Sequence, residues 1–271
     1  MTYISDFKSS ALAVFKQATS VATGTGDLQP GISNELGQRF QTADGRELVL
    51  VSNAATAIVG GVLVQSPAIT AGHQTLAMTV PTTAPATAGT FLVSVTNGST
   101  VIPQNYYAGG YMIIKDGTGA GQTLRISSHP GGAASVACVF TLEDAIVTTL
   151  DATSIVNLIA NPYSNVIIAP TTATGNVVGV SLYPLAASVA PTTNGTTGVQ
   201  TAAGTAQYGF LVTKGITSCL SDSNTATVGL GLMRSTTTAG SVAVETATGA
   251  DVGIALQTTI SAKYGAIYVS I

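Results

Sequence analysis

The chain has 271 residues, 45% of them hydrophobic, which suffices for one large domain or two small ones with a real core and argues against wholesale disorder. Only 8% of residues are charged, against about 25% in an average soluble domain, so Thr, Ser, Asn and Gln supply most of the polar surface. A net charge of −3 offers no basic patch to neutralise phosphates, and no nucleic-acid partner is expected.

Free proteins use charge to stay soluble and to protect sheet edges. So little of it points to a hydroxyl-covered surface or to burial against partners, as in a permanent assembly. A secreted β-protein in the same Thr/Ser/Gly-rich style is the alternative. The start, Met1-Thr2-Tyr3-Ile4-Ser5-Asp6, lacks a basic stretch followed by an apolar run, so no secretory leader is expected. No apolar run reaches the ~18 residues of a membrane span, so no membrane partner is expected.

In chain order, residues 5–19 are the one helix candidate. Phe7, Ala11, Val14, Phe15 and Ala18 recur at helical spacing, Ser5 or Asp6 can cap the start, and Gly24 and Gly26 stop it. The segment reads as an N-terminal arm, residues 1–28. It packs either on its own domain or on a neighbour.

From residue 39 the period changes to two. Leu76, Met78 and Val80 share a face, as do Phe91, Val93 and Val95, then Leu124 and Ile126, then Val136, Cys138, Phe140 and Leu142. Tyr208, Phe210 and Val212 follow, and finally Ile267, Val269 and Ile271. Alternation with β-branched enrichment is the signal of half-buried strands. Asp44-Gly45, Asn97-Gly98 and Asp116-Gly117 are turn dipeptides that tolerate positive φ. The fold class is therefore all-β, a barrel- or sandwich-like body with a short N-terminal helical arm. Thr/Ala/Pro-rich stretches at 81–89, 170–176 and 186–207 read as connections. The one near 170 divides a β domain, residues 29–170, from a C-terminal β region, residues 171–271.

Chemistry-bearing patterns are scarce. His73 and His129 are the two histidines, and His129, before Pro130-Gly131-Gly132, reads as a solvated turn residue. Neither zinc spacing nor a G-x-S-x-G elbow is present, and no catalytic residue, cofactor or metal site is expected. Gly117-Thr118-Gly119-Ala120-Gly121-Gln122 mimics a phosphate loop, but no Lys-Ser/Thr follows and strands flank it, so it reads as a flexible hairpin loop. Adjacent Glu143 and Asp144 would point to opposite faces of a strand, which disfavours a glycosidase pair. Asp144/Asp151 and Asp222/Asn224 lack EF-hand spacing and read as loop solvation. Cys138 and Cys219 read as buried, reduced core residues, with a disulfide the alternative. The sequons at Asn97 and Asn194 matter only in a secretory context.

Two segments carry a resemblance. Tyr107-Ala108-Gly109-Gly110-Tyr111-Met112-Ile113-Ile114-Lys115-Asp116, continuing through Gly117-Thr118-Gly119-Ala120-Gly121-Gln122-Thr123-Leu124-Arg125-Ile126, resembles a hairpin of tailed-bacteriophage capsid decoration (cement) proteins. Tyr208-Gly209-Phe210-Leu211-Val212-Thr213-Lys214-Gly215 is similar to a second motif of that family, although no Trp stands near Phe210. Val228-Gly229, Thr238-Ala239-Gly240 and Val252-Gly253-Ile254-Ala255 match its recurring small residues. The resemblance implies a non-enzymatic virion protein on the capsid exterior that bridges capsomers. Its partners would be the major capsid protein and further copies of itself, as a dimer or trimer. Phe7, Leu12 and Phe15 of the arm and Ile267, Val269 and Ile271 of the last strand are the candidate assembly contacts. A receptor-binding or fibre/adhesin protein and the major capsid protein are the alternatives, with a hydrolase further off.

Overall fold

The computed structural model describes residues 36–74, 78–222, 225–246 and 251–271. The expected arm, with Phe7, Leu12 and Phe15, lies outside them. The chain is all-β, with 42% strand and 2% helix.

In chain order the first strands are β1 (Arg39–Gln41), β2 (Glu47–Ser52) and β3 (Leu63–Gln65). A single helical turn, α1 (Ala71–Gln74), precedes β4 (Met78–Thr79), β5 (Leu92–Thr96), β6 (Tyr111–Asp116), β7 (Thr123–Ser128), β8 (Ala137–Leu142) and β9 (Ile155–Ile159). Next come β10 (Ile167–Ile168), β11 (Val177–Ser181), β12 (Thr192–Thr193) and β13 (Gln200–Ala202). The last strands are β14 (Tyr208–Leu220), β15 (Gly231–Arg234), β16 (Val242–Val244), β17 (Asp251–Ala255) and β18 (Tyr264–Ser270).

These elements form two compact units. One comprises Ile69–Asn161 with Pro191–Gly204, and the other holds residues 36–68, Pro162–Ala190 and Thr205–Ile271. The expected cut near residue 170 is therefore corrected. Gln65 of β3 pairs with Ile167 of β10 and with Val177 of β11, so strands on both sides of residue 170 share one sheet. The chain leaves that sheet after β3, builds the other unit, and returns at β10.

The first of these units is a closed barrel in the order β4-β5-β8-β7-β6-β9, with the hairpin β12-β13 beside its path as a separate two-stranded sheet. Closure leaves no free sheet edge, which suits a chain with few charges to guard one. The alternating residues fill its interior: Val93 and Val95, Leu124 and Ile126, Cys138, Phe140 and Leu142, joined by Met112, Ile114, Val156 and Leu158. Phe91 and Val136 depart from their expected faces: each stands one residue before its strand and is exposed, although the Phe91 carbonyl accepts the Leu142 N–H at 2.8 Å and the Val136 carbonyl accepts the Asn97 N–H at 3.0 Å.

The other unit is a ten-stranded sheet whose main path runs β10-β3-β11-β14-β18-β17-β15-β16, with β2 also on β14 and β1 on β2. Asp44-Gly45 makes the β1–β2 turn: Gly45 has φ of 82°, and its N–H donates to the Thr42 carbonyl at 3.0 Å. The 13-residue β14 organises the sheet. Its first half pairs with β2 (Phe210 opposite Leu50) and its second half with β18 (Thr217 opposite Ile267). Between the halves sits a bulge. Val212 faces Leu48 and Lys214 faces Glu47, so Thr213 is one residue extra. Side chains alternate across a strand, so this residue reverses which face the even-numbered positions occupy. Before it, Tyr208, Phe210 and Val212 pack with Leu48 and Leu50; after it, the odd-numbered Cys219 lies buried beside Ile267 and Val269. Both cysteines are free and buried, and burial pushes the Cys138 thiol up to about 11 and the Cys219 thiol to about 12.

Candidate functional site

The structure separates the candidate contacts of the last strand. Ile267 and Val269 are fully buried, whereas Ile271, one residue past β18, is 36% exposed. β18 lies between β14 and β17, hydrogen-bonded to each. Its backbone is already used, so it is no edge for another chain to extend, and its apolar stripe is the unit's own core. Ile267 and Val269 are thus corrected from contact to core residues. Alternation reveals that one face is apolar, but not whether the neighbouring strands come from the same chain.

The opposite face of the same strands carries what the sequence reading missed. Tyr268 stands directly across from Ile216 of β14 on one side and from Ile254 of β17 on the other. Directly opposed residues of antiparallel strands share a face. Ile216 is 58% and Ile254 44% exposed, Tyr268 is half-buried, and Leu256 lies exposed just beyond. The result is an apolar row across three adjacent strands. Lys214, with Ser270 opposite it, stands two residues from Ile216 along β14 and pairs with Glu47 at 3.6 Å. Ile216 shares the parity of the buried Val212 and Ile254 that of the buried Val252, so alternation alone turns both inward, and the register shift at Thr213 is what brings Ile216 to the open face.

The histidines differ from their sequence reading. His129 is buried in the barrel, not solvated, and His73 of α1 is buried too. The His73 Nε2 lies 3.0 Å from the Thr100 carbonyl, which can only accept, so Nε2 carries the proton and Nδ1 accepts from the Tyr107 hydroxyl at 2.7 Å. By the same logic His129 donates from Nδ1 to the Pro130 carbonyl at 2.8 Å, and its Nε2 accepts the Tyr107 backbone N–H at 3.0 Å. Tyr107 thus joins two neutral imidazoles of opposite tautomer. Burial holds both below the usual histidine range; the carbonyl bonds partly oppose this, and at His129 the neighbouring His73 adds to it. Burial also raises the Tyr107 phenol above the usual tyrosine range. With both nitrogens of each ring engaged, the cluster braces the barrel.

Asp222 is buried rather than solvated, and it accepts a hydrogen bond from Ser235 at 3.2 Å. Asp151 accepts from Thr153 and Thr118 hydroxyls at 2.6 and 2.9 Å, and the Thr153 bond is the chief cause holding its carboxyl below the usual range. Among the described residues no group of three or more His, Cys, Asp or Glu side chains is placed to hold a metal ion. Asn97 is buried and donates to the Thr100 and Ala133 carbonyls at 2.6 and 3.1 Å, so its sequon is closed to modification in the folded chain.

The glycine-rich segment is the hairpin connection between β6 and β7, and it is pinned instead of free. The Gln122 amide oxygen accepts from the Val147 and Thr148 N–H groups at 2.9 and 3.1 Å, while its nitrogen donates to Gly119 and Thr148 carbonyls. Gly121 N–H donates to Ile114 at 2.8 Å and Ala120 N–H to Gly117 at 3.1 Å, which leaves those two amides engaged rather than free for a phosphate. Gly117 has φ of 76°, and a Cβ there would lie 1.9 Å from the Thr153 carbonyl oxygen; Gly121 has φ of 90° with open space around it. Gly117→Ala is therefore expected to cost well over ~1 kcal/mol and Gly121→Ala distinctly less. Urea unfolding of the two variants checks this, and equal losses would refute the close approach.

Compared with family models, curated proteins and solved structures, the chain has no match in any of the three.

Proposed function

We propose that the protein is a virion structural protein that binds the outside of an icosahedral capsid and stabilises it by bridging capsomers. The observation that carries this reading is the pairing of an 8% charge content with apolar side chains set out on open sheet surface, Ile216 and Ile254 foremost. Exposed apolar area outside the core, on a chain with few charges to break it up, is characteristic of surfaces that become buried in an assembly. The resemblance of residues 107–126 and 208–215 to decoration proteins supplies the particular assembly. On this reading the protein is made in the host bacterial cytoplasm and ends on the capsid exterior, with the major capsid protein and its own copies as partners.

The mechanism needs no catalysis. A protein that binds only the assembled shell stabilises it by mass action, and many copies make modest affinity per contact sufficient. The histidines support the non-enzymatic reading, since each has both nitrogens committed within the barrel. The test is a particle assembled without this protein. It is expected to form, and to release its genome at lower temperature or internal pressure than the complete particle. Unchanged heat resistance at full genome length would overturn the reading. Electron-microscopic density confined to the tail would transfer the protein to the fibre class.

A further inference from the structure

The chain contains two Asn-Gly bonds, Asn97-Gly98 and Asn194-Gly195. Glycine puts no Cβ beside its own nitrogen and leaves the backbone free to turn, so that nitrogen can reach the carbonyl carbon of the preceding side chain. We propose that Asn194 is a site of self-modification, where the Gly195 nitrogen displaces the side-chain amide and water converts the residue to aspartate or isoaspartate. The Gly195 nitrogen bonds to Asn194 Cγ and gives up its proton. The Cγ–Nδ2 bond breaks, and Nδ2 takes that proton and leaves as ammonia, which produces a cyclic imide. Water then adds to one imide carbonyl. Opening at Cγ restores the peptide bond with an aspartate side chain, and opening at the main-chain carbonyl runs the backbone through Cβ as isoaspartate. Water is the one co-reactant, and nothing is oxidised or reduced.

The structure supplies each part of this step at Asn194. The residue lies exposed in the connection between β12 and β13, and a Cβ built on Gly195 would meet nothing within 4 Å. The main-chain bonds of the connection come from the Asn194 N–H to the Val199 carbonyl and the Gly198 N–H to the Asn194 carbonyl, both at 2.8 Å. Among the described residues the Gly195 N–H has no acceptor, so the attacking nitrogen is unencumbered. Asn194 Oδ1 accepts the Thr196 N–H at 2.8 Å and the Thr197 N–H at 3.0 Å. Those donors sit on the oxygen that gains negative charge when Cγ is attacked, as in an oxyanion hole. The departing Nδ2 has no partner among the described residues.

Asn97-Gly98 has the same two residues with every condition reversed. Asn97 is buried, and its Nδ2 is held by the Thr100, Ala133 and Gly132 carbonyls at 2.6, 3.1 and 3.4 Å. Its Oδ1 has no donor, and a Cβ on Gly98 would lie 2.4 Å from the Gly72 carbonyl oxygen. The two products at Asn194 differ in their effect. Aspartate keeps both N–H donors, now on a carboxylate, and adds one negative charge to a chain of net −3. Isoaspartate lengthens the main chain beside the buried Gly198, whose carbonyl holds the Gln104 N–H at 2.9 Å.

The test incubates the purified full-length protein, with no shell present, in mildly alkaline buffer, and follows both sites by peptide mass spectrometry with isoaspartate detection. Its result bears on this chemistry alone and leaves capsid attachment to be judged separately. Asn194 is expected to convert at least tenfold faster than Asn97 in the folded chain, and no slower than Asn194 does in urea. In urea Asn97 is expected to catch up with it. Gly195→Ala has room for its methyl group and is expected to slow conversion at Asn194 at least tenfold, with an unchanged far-UV spectrum. Equal rates at the two sites in the folded chain, a folded rate at Asn194 well below its rate in urea, or an undiminished rate in Gly195→Ala would each overturn the proposal.

Discussion

Phe140→Ala is expected to remove about 3–5 kcal/mol of unfolding free energy from the barrel. Phe140 is fully buried, stands opposite Val93 in the β5–β8 ladder, and holds its ring 4.9 Å from that of His129. Truncation removes the transfer energy of the ring and leaves a void in a closed wall, which cannot collapse inward as an open sheet can. The neighbouring imidazole also loses the face against which it is set. Phe140→Leu keeps most of the volume and is expected to cost less than half as much. Urea unfolding followed by far-UV circular dichroism measures both, since the chain has no Trp to report. A loss below ~1 kcal/mol for the alanine variant would mean that Phe140 is not a keystone of the barrel core.

The barrel is also expected to lose stability on mild acidification, in a window set by its two histidines. Both are held below their ordinary value in the folded chain by burial. In the unfolded chain they titrate near ~6.5, so between that value and the depressed folded ones the unfolded state binds more protons. Stability is then complete above about pH 6.5 and falls as the pH drops below it, at most by about 1.4 kcal/mol per pH unit for each imidazole. The main cost is a buried charge, and at His129 a clash of donors adds to it, because a proton on Nε2 meets the Tyr107 N–H; the Tyr107 hydroxyl can turn to accept from a protonated His73 Nδ1. Asp44 and Asp151, with carboxyls below the usual range, contribute stability that is lost only in a separate window below about pH 4. Unfolding free energy measured from pH 8 to 4.5 tests this. A His73→Gln/His129→Gln variant is expected to lose the slope, and an unaltered slope would assign the effect elsewhere.

Much of the architecture is legible in the sequence because the strands alternate so regularly. Val93, Val95, Ile126, Cys138, Phe140, Val212, Ile267 and Val269 are all buried where period two places them. The exceptions have local causes. Phe91 and Val136 continue the alternation on paper and their carbonyls still bond across the β5–β8 pair, but at the strand ends their side chains lie exposed. Connectivity was hidden for a different reason. That Gln65 pairs with both Ile167 and Val177 depends on contacts between distant residues, which no local pattern encodes. Two of the candidate assembly contacts were misplaced for the same reason: Ile267 and Val269 look available until β14 and β17 are known to flank them. His129 misled because a Pro-Gly-Gly neighbour signals a turn, and a turn residue can still send its ring into a barrel.

The detour between β3 and β10 also orders events during synthesis. Leu48 and its partner Val212 are separated by about 160 residues, so at ~5–20 residues per second the apolar run of β2 leaves the ribosome roughly 10–30 s before β14 exists. The barrel strands are contiguous from β4 to β9, and all of their partners emerge within that interval. The chain is therefore arranged to complete its closed sheet while the open one still waits for its central strand. In that interval the apolar run of β2 is the segment most in need of a chaperone.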